Sequence, residues 1–264
     1  MITCRDRSFQ RQYRKHIRVD RAGDAHQSRQ AANRIGRDAL VQDKHGTTVL
    51  GVIGGRSDGY LYGPAWGARY LLAKREIFDE EIVLEEDHWV AGVEWADSAG
   101  ADIVTSSVGY RDWYTSSDFD GETALCTKAA DIAVSHGIIV VNSAGNYDTD
   151  GLVAPADGDS VLAVGAVDCA GVIAYFSSRG PTADGRIKPD FVAMGCAVQS
   201  VGYPDTAGYE RYYGTSFAAP LVAGICAQLL EAHSDWDPME MRSALRATAS
   251  RSGFPDNTYG SASI

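Results

Sequence analysis

The string Gly214-Thr215-Ser216-Phe217-Ala218-Ala219-Pro220 sets one small hydroxyl residue where a glycine-bearing turn enters an apolar run, Leu221–Leu230. A serine held at such a junction meets a substrate from a rigid backbone. The helix N-terminus adds unpaired N–H groups and partial positive charge, which suit a developing oxyanion. Pro220 falls near the first turn, where a missing N–H costs little. Serine attacks a carbonyl only when a base takes its proton. The best base is His45 in His45-Gly46-Thr47-Thr48-Val49-Leu50-Gly51, where a histidine opens a helix beside small residues. His16, His26, His88, His136 and His233 have no such setting. In Val140-Val141-Asn142-Ser143-Ala144-Gly145-Asn146, an amide side chain stands just past an apolar strand. Its N–H could face the oxygen that becomes negative during acyl transfer. Each feature alone also has a plainer reading: a small-residue helix start, a structural histidine, a turn asparagine. Acyl transfer needs all three together.

These residues need a frame. The pattern predicts helices over His45–Gly55, Glu86–Ala99, Thr123–Ser135, Thr215–Ala232 and Pro238–Thr248. Strands are expected at Ala68–Ala73, Asp102–Ser106, Ile138–Val141, Ser160–Val167, Val172–Phe176 and near Phe191–Ala193. Asp168–Gly171 joins the fourth and fifth of these strands, and the rest of 177–215 reads as turns. Apolar strands alternating with helices imply an α/β fold with a mostly parallel sheet covered on both faces. Sites in such folds gather at the carboxyl ends of the strands. Ser106–Gly109, Ser143–Asn146 and the turn before Ser216 all fall there.

The chain is long enough to bury one substantial core. Its net charge of −11 is uneven. Residues 1–40 carry nine Arg and one Lys against four Asp and no Glu, a balance of +6, and the remainder carries −17. Basic arms often bind nucleic acid, but this one has no aromatic or glycine interleaving. The acidic remainder would repel phosphate backbones, so no nucleic-acid partner is expected. The basic stretch shows no clear strand run. No apolar run reaches the roughly 20 residues of a membrane span, and Met1-Ile2-Thr3-Cys4-Arg5 has no apolar signal core. The five cysteines Cys4, Cys126, Cys169, Cys196 and Cys226 are scattered without a CxxC pair. That spacing argues against a disulfide framework or a zinc site, and Cys226 reads as a core residue.

The strings HGTTVLGVIGG (45–55), SSVGY (106–110), VVNSAGN (140–146) and GTSFAAPLVAG (214–224) together resemble the subtilisin-like serine proteases, or subtilases. SSRGPTADGRIKPDFVA (177–193) resembles the stretch that precedes the serine in that family. The resemblance implies a three-layer α/β/α fold and peptide-bond hydrolysis through an acyl-enzyme. By residue it implies Ser216 as nucleophile, His45 as general base and Asn146 as oxyanion donor. Ser107, Val108 and Gly109 with Ser143, Ala144 and Gly145 would line the substrate edge and pair with an extended polypeptide. It also implies a secreted or extracytoplasmic protein. No cofactor is required; calcium occurs in many subtilases, but Asp148-Thr149-Asp150-Gly151 follows no known loop pattern.

One part of the pattern departs from the family. Subtilases run in the order Asp, His, Ser, with the aspartate in a D-[ST]-G string. Residues 1–44 contain no such string. The nearest imitation is Asp20 in Val19-Asp20-Arg21-Ala22-Gly23, flanked by Arg14-Lys15-His16-Ile17-Arg18. The expectation is therefore a subtilase-like domain over 41–264 without its usual first strand. Residues 1–40 would then be an atypical basic segment foreign to that domain. Asn257-Thr258-Tyr259-Gly260 resembles the lead into a further C-terminal segment. The alternative to an endopeptidase is an impaired or dead subtilase-like domain that binds peptides. An unrelated esterase would show a G-x-S-x-G elbow, and Gly214–Ala218 lacks its second glycine.

Overall fold

A computed structural model describes residues 2–5, 44–74, 82–205 and 207–262. The strands are β1 Ile2–Arg5, β2 Arg56–Ser57, β3 Leu61–Tyr62, β4 Arg69–Leu72, β5 Ile103–Ser106, β6 Ile139–Ser143, β7 Leu162–Val167, β8 Phe191–Met194, β9 Val198–Val201 and β10 Tyr209–Tyr212. The helices are α1 over 44–54, α2 Leu84–Ala99, α3 Leu125–Ser135, α4 Thr215–Ala232 and α5 Pro238–Thr248.

The main sheet has the order β4-β1-β5-β6-β7-β8, with β5 to β8 parallel. Strands β5, β6 and β7 are buried along their whole length, as strands covered on both faces must be. Alternation then divides the core in two. Ile103, Ile139, Val141, Leu162 and Val164 meet α1, α4 and α5 through Val49, Ile53, Val222, Met241 and their neighbours. Val104 and Val140 meet α2 and α3 through Trp89, Val93, Ala130 and Ala133. This is the three-layer α/β/α arrangement.

Helix α4 is long and apolar enough to pass a length test for a membrane span. Eleven of its residues are buried, among them Val222, Ala223 and Cys226, so it serves as the central core helix. Burial pushes the Cys226 thiol up to about 12, which leaves it unreactive. Helix α5 starts where Asp237 accepts hydrogen bonds from the Met239 and Glu240 backbone N–H groups, with Pro238 next to the cap.

Several expectations are corrected. The expected strand at Ala68–Ala73 is present as β4, but it forms the sheet edge and none of its residues is fully buried. Val172–Phe176 is not a strand. Asp168 accepts hydrogen bonds from Ala170 N (2.8 Å) and Val172 N (2.9 Å) and closes a tight turn. Strand β6 pairs with β7 only as far as Val164, and the returning chain meets the free edge beyond it in the bridge Val167–Ile173, with Ala174 N–H donating to Ala166 O (2.8 Å) and Asp168 N–H to Val172 O (2.9 Å). The stretch 177–215 holds the antiparallel pair β9–β10 as well as β8. Ile2–Arg5, in a region with no clear strand pattern, pairs antiparallel with both β4 and β5. Four residues are too few for periodicity to show, while a slot between two open edges satisfies the backbone on both sides.

Candidate active site

The chain enters α4 through Gly214, whose φ of 138° lies in a region that L side chains rarely adopt. Gly214 N–H donates to Gly195 O (2.9 Å), which fixes this turn against the end of β8. Ser216 follows in the first turn of α4 and is 9% exposed. Its Oγ donates to Ser107 O (3.3 Å), and Ser107 Oγ donates back to Ser216 O (2.8 Å). This reciprocal pair joins the carboxyl end of β5 to the serine turn.

Asn146 follows the buried β6 and reaches the same helix start. Thr215 N–H and Thr215 Oγ1 both donate to Asn146 Oδ1 at 3.0 Å. An orphan N–H of α4 is thereby capped from a distant segment. Two donors on Oδ1 also fix the amide orientation, so Nδ2–H2 is what Asn146 offers the cleft it lines. His45 lies at the start of α1 and is partly buried. Its ring stands edge-on to Phe217, with centroids 6.1 Å apart and an interplanar angle of 83°. Thr48 Oγ1 donates to His45 O (3.0 Å) and steadies that first turn. The fold thus brings His45, Asn146 and Ser216 to one helix start. Asp20 lies outside the described residues.

A cleft of about 180 Å³ opens beside Ser216, lined by Ser107–Tyr110, Ser143, Gly145–Tyr147, Val153, Glu85 and Thr215. Two glycines of the substrate-edge strings are required by close packing. A Cβ at Gly109 would overlap Val153 Cγ2, and one at Gly145 would come within 2.7 Å of Ser178 Oγ. Gly145 also has φ 114°. Ala144 does not line the cleft. It is fully buried, its N–H donates to Val164 O (2.9 Å), and its O accepts from Val153 N (3.3 Å). Its backbone is therefore spent on β7 and on the cleft floor. The SSRG string braces the opposite wall. Ser178 N–H donates to Gly145 O (3.0 Å), and Ser178 Oγ accepts from Tyr147 N (3.1 Å).

The wall from α2 depends on Glu86, which is 1% exposed. Its carboxylate accepts from Trp113 Nε1 (3.2 Å), Tyr114 Oη (2.7 Å) and Cys126 N (2.8 Å). Burial and Glu86 push the Tyr114 phenol above its ordinary value, so it remains a donor. Substituting Glu86→Leu should leave these donors unpaired and destabilise the fold by about 1.5–3 kcal/mol. Urea unfolding checks this, and a change below about 0.5 kcal/mol would count against the clamp.

Sequence reasoning missed Tyr110, Tyr147, Val153 and the inward position of Glu85. Their approach to Ser216 is long-range, and no local spacing marks it. Arg179 Nη2 pairs with Asp148 Oδ1 (2.8 Å), and Arg111 Nη2 donates to Asp150 O (2.7 Å), so these oxygens face the chain's own cations. Among the described residues no three His, Cys, Asp or Glu side chains cluster as metal ligands.

The chain is similar to known proteins in sequence and fold. A model of the subtilase family (peptidase S8) matches residues 5–262. Subtilisin of Bacillus pumilus is 35% identical over 215 residues, covering 79% of this chain and 71% of that protein. Subtilisin E of Bacillus subtilis is 34% identical over 214 residues, and the chain spans only 51% of its length. Among solved structures, the self-cleaved protease domain of PatA matches with a TM-score of 0.67 and 29% identity, over 83% of this chain and 79% of that one. A cold-adapted subtilisin-like serine proteinase matches with a TM-score of 0.64 and 26% identity, over 81% of this chain and 70% of that one. With the family match running over nearly its whole length, the chain belongs to the subtilase family.

Proposed function

We propose that this chain is a serine endopeptidase that acts through an acyl-enzyme on Ser216. An extended polypeptide would lie along Ser107-Val108-Gly109, with Ser143 and Gly145 opposite, and Ala144 supporting them from behind. His45 takes the Ser216 proton as Oγ attacks the scissile carbonyl. Asn146 Nδ2–H donates to the oxygen as it becomes negative. His45 then returns the proton to the leaving amine, and water repeats the sequence to free the acid. Asp20 is the candidate for the carboxylate that orients His45. By family resemblance we place this work outside the cytoplasm.

The observation that carries this reading is the capture of Asn146 Oδ1 by Thr215, which turns the amide donor end to the cleft beside Ser216. A second reading, peptide binding without turnover, is favoured by the absence of a D-[ST]-G string from residues 1–44. Incubation with an unstructured polypeptide, followed by mass spectrometry, separates the two. Cleavage at internal bonds that is lost in Ser216→Ala supports the endopeptidase, whereas saturable binding with no new termini supports the second reading. For the endopeptidase, Asn146→Ala should lower kcat about 10²–10³-fold, the size measured for this donor in a subtilisin itself, with little change in KM. Steady-state kinetics on a quenched peptide checks it, and a change confined to KM would contradict the oxyanion role.

A further inference from the structure

Asn142 is fully buried near the carboxyl end of β6, opposite Ser106 of β5. Its Nδ2 donates to Ser143 O (3.0 Å) and reaches past the end of the β5–β6 ladder to Val108 O (3.2 Å). Two carbonyl acceptors fix which end of the amide is NH2. Its Oδ1 is buried and has no partner among the described residues. An unpaired buried carbonyl is costly, and an apolar side chain here would avoid that cost. What the amide adds is its two donated bonds. The longer-range one joins the two walls of the cleft, since Val108 lines one and Ser143 the other.

Holding Val108 O toward β6 also orients the next N–H. The Val108–Gly109 peptide is trans, so its C=O and N–H point in opposite directions. Gly109 N–H is thereby turned away from β6, to the other edge of the segment. The Ser143–Ala144 peptide behaves in the same way: Ser143 O accepts from Asn142, while Ala144 N–H donates in the other direction to Val164 O (2.9 Å). On the far edge of β5, β1 pairs only with Ile103, Val104 and Thr105. Beyond that point Gly109 N–H meets no acceptor among the described residues. An unpaired N–H on an open strand edge suits a carbonyl of an added extended peptide.

We propose that Asn142 is a positioning residue that holds the Val108–Gly109 peptide so that Gly109 N–H donates to a main-chain carbonyl of the bound substrate. This rests on the reading of Ser107-Val108-Gly109 as the peptide-binding edge of a serine endopeptidase. Asn142 acts through Val108 and not on the reacting atoms. Its loss therefore weakens binding along the edge more than it slows the chemistry at Ser216.

The test uses the full-length protein, an extended quenched peptide, and analogues in which one peptide bond at a time, away from the scissile bond, is replaced by an alkene that cannot accept. In the wild type one such analogue should raise KM by about threefold or more, the size of one neutral hydrogen bond. In Asn142→Leu the parent peptide should lose about three- to tenfold, carried by KM rather than kcat. The sensitive analogue should then cost at least about threefold less than it does in the wild type. Hydrolysis of nitrophenyl acetate, too short to reach Gly109, should fall less than that of the peptide. A merely structural Asn142 would depress ester and peptide alike and leave the analogue effect intact. Either result overturns the proposal, as does a wild type indifferent to every analogue. If Asn142→Leu does not fold, hydrogen exchange of the Gly109 amide in Ser216→Ala decides: slowing on addition of the peptide supports the proposal, and unchanged exchange overturns it. If no peptide is cleaved, the endopeptidase reading fails on its own. Affinities of the same peptides for Ser216→Ala, with and without Asn142→Leu, then replace KM in the same comparison.

Discussion

Ser216→Ala and His45→Ala should each remove on the order of 10⁶-fold from kcat, the size measured when either partner is lost in a subtilisin itself. The double substitution should be no worse than either one. Nucleophile and base act as a unit, because Oγ without a proton acceptor is an ordinary alcohol and the imidazole without Oγ has nothing to deprotonate. What remains should come from Asn146 and the cleft, which still polarise and hold the peptide. A chain whose His45 lacks an orienting carboxylate would start about 10⁴ lower. The same substitutions would then remove only the remaining part, so the size of the drop reports whether Asp20 or another acid serves. Single-turnover kinetics on an activated peptide ester measures it. Losses that multiply in the double variant would contradict a shared step.

Asp190→Asn should destabilise the fold by about 3–5 kcal/mol, the cost of leaving buried charges without their partner. Asp190 is fully buried. Its Oδ2 accepts from Lys188 Nζ (2.7 Å) and Ala163 N (3.0 Å), and its Oδ1 from Arg242 Nη2 (3.0 Å) and Arg246 Nη2 (2.7 Å). One carboxylate thus joins β7, the entry to β8 and α5. Lys188 is also buried and gives a further bond to Val161 O (2.7 Å). Burial works to raise the Asp190 carboxyl, but Lys188, Arg242 and Arg246 outweigh it and hold it at about 2. Burial pushes the Lys188 ammonium down, with Asp190 opposing. The unfolded carboxyl titrates near 3.9. The stabilisation from ionised Asp190 is therefore complete above that value and is lost as pH falls toward 2. The gap between wild type and Asp190→Asn should be widest near neutrality and should close over that acid range. Urea unfolding at several pH values checks both. A neutral-pH difference below about 1 kcal/mol would mean that the cations find other partners, as surface pairs do.

The two C-terminal helices were legible to the residue, because Gly214 and Asp237-Pro238 mark their starts chemically; Pro220, read as near the first turn, lies inside α4. The buried parallel strands were legible because residues covered on both faces read as apolar runs. The edge position of β4 was not legible, because Tyr70, Leu71 and Leu72 are apolar yet sit at the sheet edge. Val172–Phe176 has a good strand composition, but the tight turn at Asp168 leaves it a single bridge on the free end of β7. The β9–β10 pair was missed because Tyr209–Tyr212 carries no buried face to create a pattern. For the site, the motif residues were legible where their own backbone demands them, as at Gly109, Gly145 and Gly214. Ala144 was assigned to the cleft by its place in a string, and only the fold shows its backbone spent on β7 and Val153. Glu85 and Val153 reach the cleft from distant segments, and no local spacing records that.

The central claim is that Ser216 is an activated nucleophile in a subtilase site. Treatment of the folded, full-length protein with a fluorophosphonate, followed by intact mass and peptide mapping, tests it most directly. The account predicts one adduct per chain, located on Ser216, absent in Ser216→Ala and slowed in His45→Ala. A folded protein that takes up no adduct, or one labelled at another residue, would contradict it.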